Sequence, residues 1–192
     1  LECSINDEMI EIACKNKPHR VTLVPENREE VTTEGGLDVE NNYPQLLKVI
    51  KKLHKHEIEV SLFIDPNKRV IELSNQLGVE WIELHTGSFA NIYAMLHSGL
   101  DQTHHSIKEL ELSREELTER LQNAIEEITK STDIATELGL HVAAGHGLNY
   151  QNVKYMTDIN SIKELNIGQS IIARSVFTGL HSAIIDMRKL IS

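Results

Sequence analysis

Six short apolar runs, separated by stretches of helical period, constrain this chain more than any other feature. The runs lie near residues 1–5, 21–24, 60–64, 79–84, 141–145 and 165–167. Such alternation dictates a parallel sheet joined by right-handed crossovers. Caps and stripes mark the helices between the runs. Asn6 caps the first, with Asp7 and Glu8 in its first turn and Pro18 closing it. Pro44 is expected as the first residue of the second, whose buried stripe is Leu46, Leu47, Ile50 and Leu53. Asp65-Pro66 is expected to open the third, and Gly78 ends it. Ser113 and Glu116 form a capping box at the head of a long helix, with Leu117, Leu121, Ile125, Ile128, Ala135 and Leu138 facing the core and Gly139 as terminator. Residues 88–112 show no clean period and read as a solvated connection.

Six βα units fit an open doubly wound sheet, or six of the eight units of a barrel. A barrel short of two strands leaves two unpaired edges, which is costly. Neither GxGxxG nor GxxxxGK[ST] occurs, so the usual nucleotide-binding signatures of an open sheet are absent.

The chemistry concentrates in residues 141–169. Two strand-like runs each end in glycine there, the first as AAGHG with His146 between Gly145 and Gly147, the second as LNIGQ with Gly168 before Gln169. Glycine lets backbone approach a ligand, and a helix N-terminus favours an anion. The last two strand ends of a (β/α)8 barrel commonly hold a phosphate. Ile171–Phe177 reads as a short extra helix before a final one at Leu180–Ile191, which fits the same site. Taken alone, His146 reads equally as a functional or a hydrogen-bonded structural histidine. Glu83 and His85, two apart on one strand, share a face. A carboxylate in so apolar a strand needs a partner or a function. His104-His105 lacks a third ligand at metal spacing and reads as loop, and His54 and His56 read as surface residues. The stretch 30–39 reads as a mobile loop at a strand end, or else as a plain solvated connection.

With 192 residues the chain suffices for one domain. Its net charge of −10 argues against nucleic acid as a partner. Cys3 and Cys14 make no disulfide framework and suggest a reducing compartment. No apolar run has the roughly 18 residues of a membrane span. The opening LECSI already reads as a strand, so a piece upstream is expected.

The blocks KPHRVTLVPE (17–26), EVTTEGGLDV (30–39), VSLFID (60–65), IELHTG (82–87), AGHGLNY (144–150) and ELNIGQSIIARSVFTGL (164–180) together resemble the pyridoxine 5'-phosphate synthase family. The resemblance covers nearly all of the chain except 88–112. It implies an α/β fold, a TIM (β/α)8 barrel, with residues 1–192 as a single domain forming its C-terminal three-quarters, roughly strands three to eight. It implies condensation of 1-deoxy-D-xylulose 5-phosphate with 3-amino-2-oxopropyl phosphate to pyridoxine 5'-phosphate, phosphate and water, without a metal or cofactor. By the same resemblance Glu2 is a proton acceptor, Glu83 assists the transition state and His146 is a proton donor. Thr32 contacts the deoxyxylulose phosphate, while Gly147, Gly168 and Gln169 hold the aminooxopropyl phosphate. Gln169 stands where histidine is expected; an amide donates to a phosphate but carries no charge. The family's first two strands, which bring further arginines and histidines, are expected upstream. A cytoplasmic homo-oligomer is implied. The alternatives left open are another sugar-phosphate barrel enzyme and a truncated, non-catalytic remnant.

Overall fold

Each strand parts its side chains onto two faces, and the two faces have opposite character. The computed structural model describes residues 1–26 and 35–191. Its strands are β1 (Glu2–Cys3), β2 (Arg20–Leu23), β3 (Glu59–Ile64), β4 (Trp81–His85), β5 (His141–Gly145) and β6 (Ile162–Asn166). All neighbours pair in parallel, in the order β1-β2-β3-β4-β5-β6. Val21, Leu23, Val60, Leu62, Ile64, Ile82, Leu84 and Val142 alternate onto one face and are fully buried. Thr22, Ser61, Glu83, Glu164 and Asn166 occupy the other face.

The strand order decides between the two architectures. A doubly wound sheet reverses its order at a switch point. This one never reverses, so crossovers of a single hand place the helices that connect its strands on the apolar face. The sheet also curls. Arg20 on β2 forms an ion pair with Glu164 on β6, across the concave side and past three intervening strands. The Arg20 guanidinium lies 4.1 Å above the ring of Trp81 on β4. Arginine, tryptophan and glutamate from alternate strands thus fill one layer at the floor, as in a (β/α)8 barrel. The described strands do not close: β1 and β6 are both edges.

The helices are α1 (Asp7–Asn16), α2 (Val39–His54), α3 (Lys68–Leu77), α4 (Gly87–His97), α5 (Arg114–Glu137), α6 (Lys154–Thr157), α7 (Gln169–Thr178) and α8 (Leu180–Ile191). Asn6 caps α1, the Ser113–Glu116 box caps α5, and Gly78 ends α3 in the left-handed region, all as expected. Other boundaries differ. Helix α2 starts five residues before Pro44, because Asp38 accepts from the Asn41 N–H at 3.1 Å and caps it there. Pro44 therefore lies inside the helix, and the bond it cannot make falls on the exposed turn of Glu40. Helix α3 is capped by Asn67, which accepts from Arg69 and Val70 N–H at 2.8 and 3.3 Å. Asp65 is thereby left for other work.

Residues 88–112 are largely ordered. Helix α4 buries Phe89, Ala90, Ile92, Met95 and Leu96, and two 3-10 turns follow at Leu100–Gln102 and Lys108–Leu110. A helix so broadly apolar shows no polar stripe to betray its period. Leu138 is 38% exposed rather than in the core, since α5 ends just before it. The last strand begins earlier than expected, at Ile162, and ends at Asn166. No described helix is long and apolar enough to cross a membrane.

Candidate active site

The concave face carries a cavity of about 1240 Å³. Glu2, Glu83, His146, Gly147, Gly168 and Gln169 all line it. Six of the seven residues singled out by sequence thus meet in one place. The seventh, Thr32, lies outside the described residues, as does the first half of the 30–39 stretch.

Glu83 projects from β4 and is 4% exposed. Its Oε2 accepts from Nδ2 of Asn166 on β6 at 2.7 Å. Space for the carboxylate exists because residue 145 is glycine: a Cβ there would stand 2.3 Å from Oε1. Glu2, by contrast, is exposed on the edge strand β1.

His146 follows β5 and is half-buried. Its backbone is left-handed, with φ of +86°, and Gly147 continues at +74°. A non-glycine residue in this region is uncommon and is held there by its surroundings. Its ring stands 4.9 Å from that of His85 and 5.7 Å from that of Phe63. His85, expected to share the face of Glu83, sits behind His146 at 7% exposure. Its Nδ1 pairs with Asp65 Oδ1 at 3.2 Å, and its Nε2 is buried with no hydrogen-bond partner among the described residues. Asp65 also accepts from the Gly36 N–H at 3.0 Å. The bond from His85 is the main reason its carboxyl lies below the ordinary value, with the Gly36 bond assisting against partial burial. Asp65, expected as a cap, therefore ties the far end of the 30–39 stretch to the wall behind His146.

The two glycine loops are joined. Ser170 in the first turn of α7 donates to the Leu148 carbonyl at 2.9 Å. Asn152, fully buried, donates to the Gly147 carbonyl at 3.1 Å and accepts from Asn149 N–H at 2.8 Å. Gly168 stands at the N-cap of α7, with Gln169 as the first helical residue. Among the described residues a Cβ at Gly168 would meet nothing within 4 Å, so none of them requires glycine there. Helix α7 points its positive end at the cavity, next to the Gly147 turn, which is an anion-binding arrangement.

Sequence reasoning missed Thr86, Asn152 and Asn166. Thr86 and Asn166 bond to backbone or to a carboxylate that only the register of β4, β5 and β6 brings near, while Asn152 bonds within its own loop, to Gly147 and Asn149. Among the described residues, no group of three His, Cys, Asp or Glu side chains could hold a metal ion. His104 and His105 pack on each other in the exposed connection.

Comparison with known proteins places these features in context. The family model described as "Pyridoxal phosphate biosynthesis protein PdxJ" matches residues 1–192, the 88–112 connection included. The "Pyridoxine 5'-phosphate synthase" of Aliarcobacter butzleri (strain RM4018) is 68% identical over 191 residues, which cover 100% of this chain and 73% of that protein. Its namesakes in Sulfurovum sp. (strain NBC37-1) and Sulfurimonas denitrificans are 59% and 56% identical, each over 100% of this chain and 74% of theirs. Among solved structures, dihydropteroate synthase from Anaplasma phagocytophilum is 14% identical with a TM-score of 0.32, covering 96% of this chain and 89% of that one; so low a score has no bearing on the fold.

Proposed function

This chain belongs to the family of pyridoxal phosphate biosynthesis protein PdxJ, and on that footing we propose that it is a pyridoxine 5'-phosphate synthase. It condenses 1-deoxy-D-xylulose 5-phosphate with 3-amino-2-oxopropyl phosphate, releasing pyridoxine 5'-phosphate, phosphate and water. The observation that carries the reading is the convergence of Glu2, Glu83, His146, Gly147, Gly168 and Gln169 on one cavity. Residues 1–192 form a single domain, the C-terminal three-quarters of a (β/α)8 barrel. The sequential strand order, the free edges of β1 and β6 and the coverage of 73% of a relative support this.

Ring formation from two phosphates needs carbonyl–amine condensation, phosphate loss, ring closure and dehydration. Each step moves protons, which positioned carboxylates and imidazoles supply. Glu83, fixed by Asn166 and largely buried where it lines the cavity, stabilises positive charge that develops beside it. His146 donates protons to leaving oxygens from the cavity rim, and Glu2 accepts them from the opposite edge. Gly147, Gly168 and Gln169 hold the aminooxopropyl phosphate at the N-terminus of α7, and Thr32 contacts the other substrate. An amide at 169 makes this phosphate contact independent of a histidine's titration.

The enzyme acts as a cytoplasmic homo-oligomer. Support comes from the exposed apolar side chains of α7 and α8, where Val176 and Phe177 are 77% and 90% exposed, and from the free thiols of Cys3 and Cys14. The test is an assay of the purified full-length protein with both phosphates, following pyridoxine 5'-phosphate, with intact mass taken on the same sample. Product from the native protein, and its loss in Glu83→Gln and His146→Ala, is the expected result. No product from protein of the relatives' full length overturns the assignment.

A further inference from the structure

Thr86 occupies the N-cap of α4, where a threonine oxygen ordinarily accepts from the first helical N–H groups. Here it makes no such cap. Its hydroxyl is turned the other way and is shared between two carbonyls, that of Gly145 at 2.7 Å and that of His146 at 2.6 Å. Its backbone N–H donates to the Gly145 carbonyl as well, at 2.8 Å. The residue is fully buried and does not line the cavity. Helix α4 thus forgoes its cap, and the freed hydroxyl grips the one segment where a non-glycine active-site residue is held at φ of +86°.

We propose that Thr86 is the positioning residue for His146. A left-handed histidine is disfavoured, and unless held it relaxes toward ordinary backbone and carries its ring away. Bonds to the carbonyls of Gly145 and His146 fix both peptide planes that set this conformation. The contacts around them agree. Gly147 passes so close to α4 that a Cβ would lie 2.4 Å from that of Ala90, so the loop is pressed onto the helix Thr86 begins. The His85 and Phe63 rings back the imidazole from the strand side. Thr86 therefore acts on catalysis through backbone geometry, without touching substrate. The inference rests on the reading of His146 as proton donor.

Thr86→Val removes the hydroxyl at constant shape, and Thr86→Ser keeps it. In the full-length enzyme, Thr86→Val is expected to lower kcat by about 10²-fold, the effect of a displacement near 1 Å. KM for both phosphates changes by less than about threefold, because Asn152 holds the Gly147 carbonyl independently. Thr86→Ser, which retains the donor, restores kcat to within about threefold of the native value. In a His146→Ala background, Thr86→Val has no further effect, since the group it positions is gone. Thr86→Val with native kcat, while His146→Ala lowers kcat, overturns the inference alone. An equal loss in both backgrounds also overturns it, by showing a general structural role. His146→Ala with native kcat overturns the inference and the reading beneath it together. Should Thr86→Val fail to fold, Thr86→Cys, of similar size and a weaker donor, makes the same comparison.

Discussion

Replacing Gly145 by alanine adds one methyl group against the buried carboxylate. Gly145 has no positive φ, so alanine meets no backbone penalty, and the whole effect is contact. The new Cβ would stand 2.3 Å from Glu83 Oε1, 3.1 Å from Asn166 Cβ and 3.3 Å from the Asn166 carbonyl oxygen, where ordinary contact begins at 3.4 Å. Oε1 must therefore move by about 1 Å, a displacement that can cost about 10²-fold in rate. The side chain is 4% exposed, and moving its carboxylate, even toward the cavity it lines, strains or breaks its 2.7 Å bond from Asn166. Overpacking of this kind costs about 1–3 kcal/mol. For a chain of this size that lowers Tm by several degrees, at roughly 2–4 °C per kcal/mol. The assay is steady-state kinetics with both substrates beside a thermal melt. The expected result is a fall in kcat of about 10²-fold with a modestly lowered Tm. Native kcat with a lowered Tm would show that the position of Glu83 does not limit the reaction. Native values of both would refute the packing itself.

Gly168→Ala makes the complementary case: Tm stays unchanged, because a Cβ there meets none of the described residues. KM for the aminooxopropyl phosphate rises about tenfold, or ~1.4 kcal/mol, and an unchanged KM would remove Gly168 from the phosphate site. Asn67→Ala deletes the cap of α3 and is expected to cost about 1 kcal/mol by chemical denaturation. Native stability would mean that Asp65, not Asn67, starts the helix. Asp65 carries a pH dependence of definite sign. Its folded carboxyl titrates below the ordinary 3.8, chiefly through the bond from His85. The stability it confers is complete above 3.8 and is lost as pH falls below that value. Because the side chain is 52% exposed, the amount is at most about 1 kcal/mol. Asp65→Asn should flatten the acid limb of the stability curve below pH 3.8, and an unchanged limb would show that the bond is not held in solution.

The alternation of strands and helices and the glycine-rich strand ends of the candidate site were legible in the sequence because both rest on local signals. Strand composition, cap residues and glycine at strand ends are written within a few positions of where they act. Val60–Ile64, the Ser113–Glu116 box and the Gly145-His146-Gly147 turn emerged where their residues place them. Boundaries were lost where two local signals competed, as with Asp38 against Pro44 or Asn67 against Asp65. Either residue could start a helix, and packing chose. Helix α4 was missed because burial on several sides erases the polar stripe that reveals a period.

Other features depend on residues far apart in the chain. The choice of a curled, sequentially ordered sheet over a doubly wound one shows in the strand order and in the meeting of Arg20 with Glu164, 144 positions away. The hold of Asn166 on Glu83, and of Thr86 on the Gly145–His146 peptide, needs three strands in register. The sequence names which side chains can accept, donate or bend, because those are properties of single residues. Which of them meet is set by strand order and register, long-range pairings that no short stretch encodes.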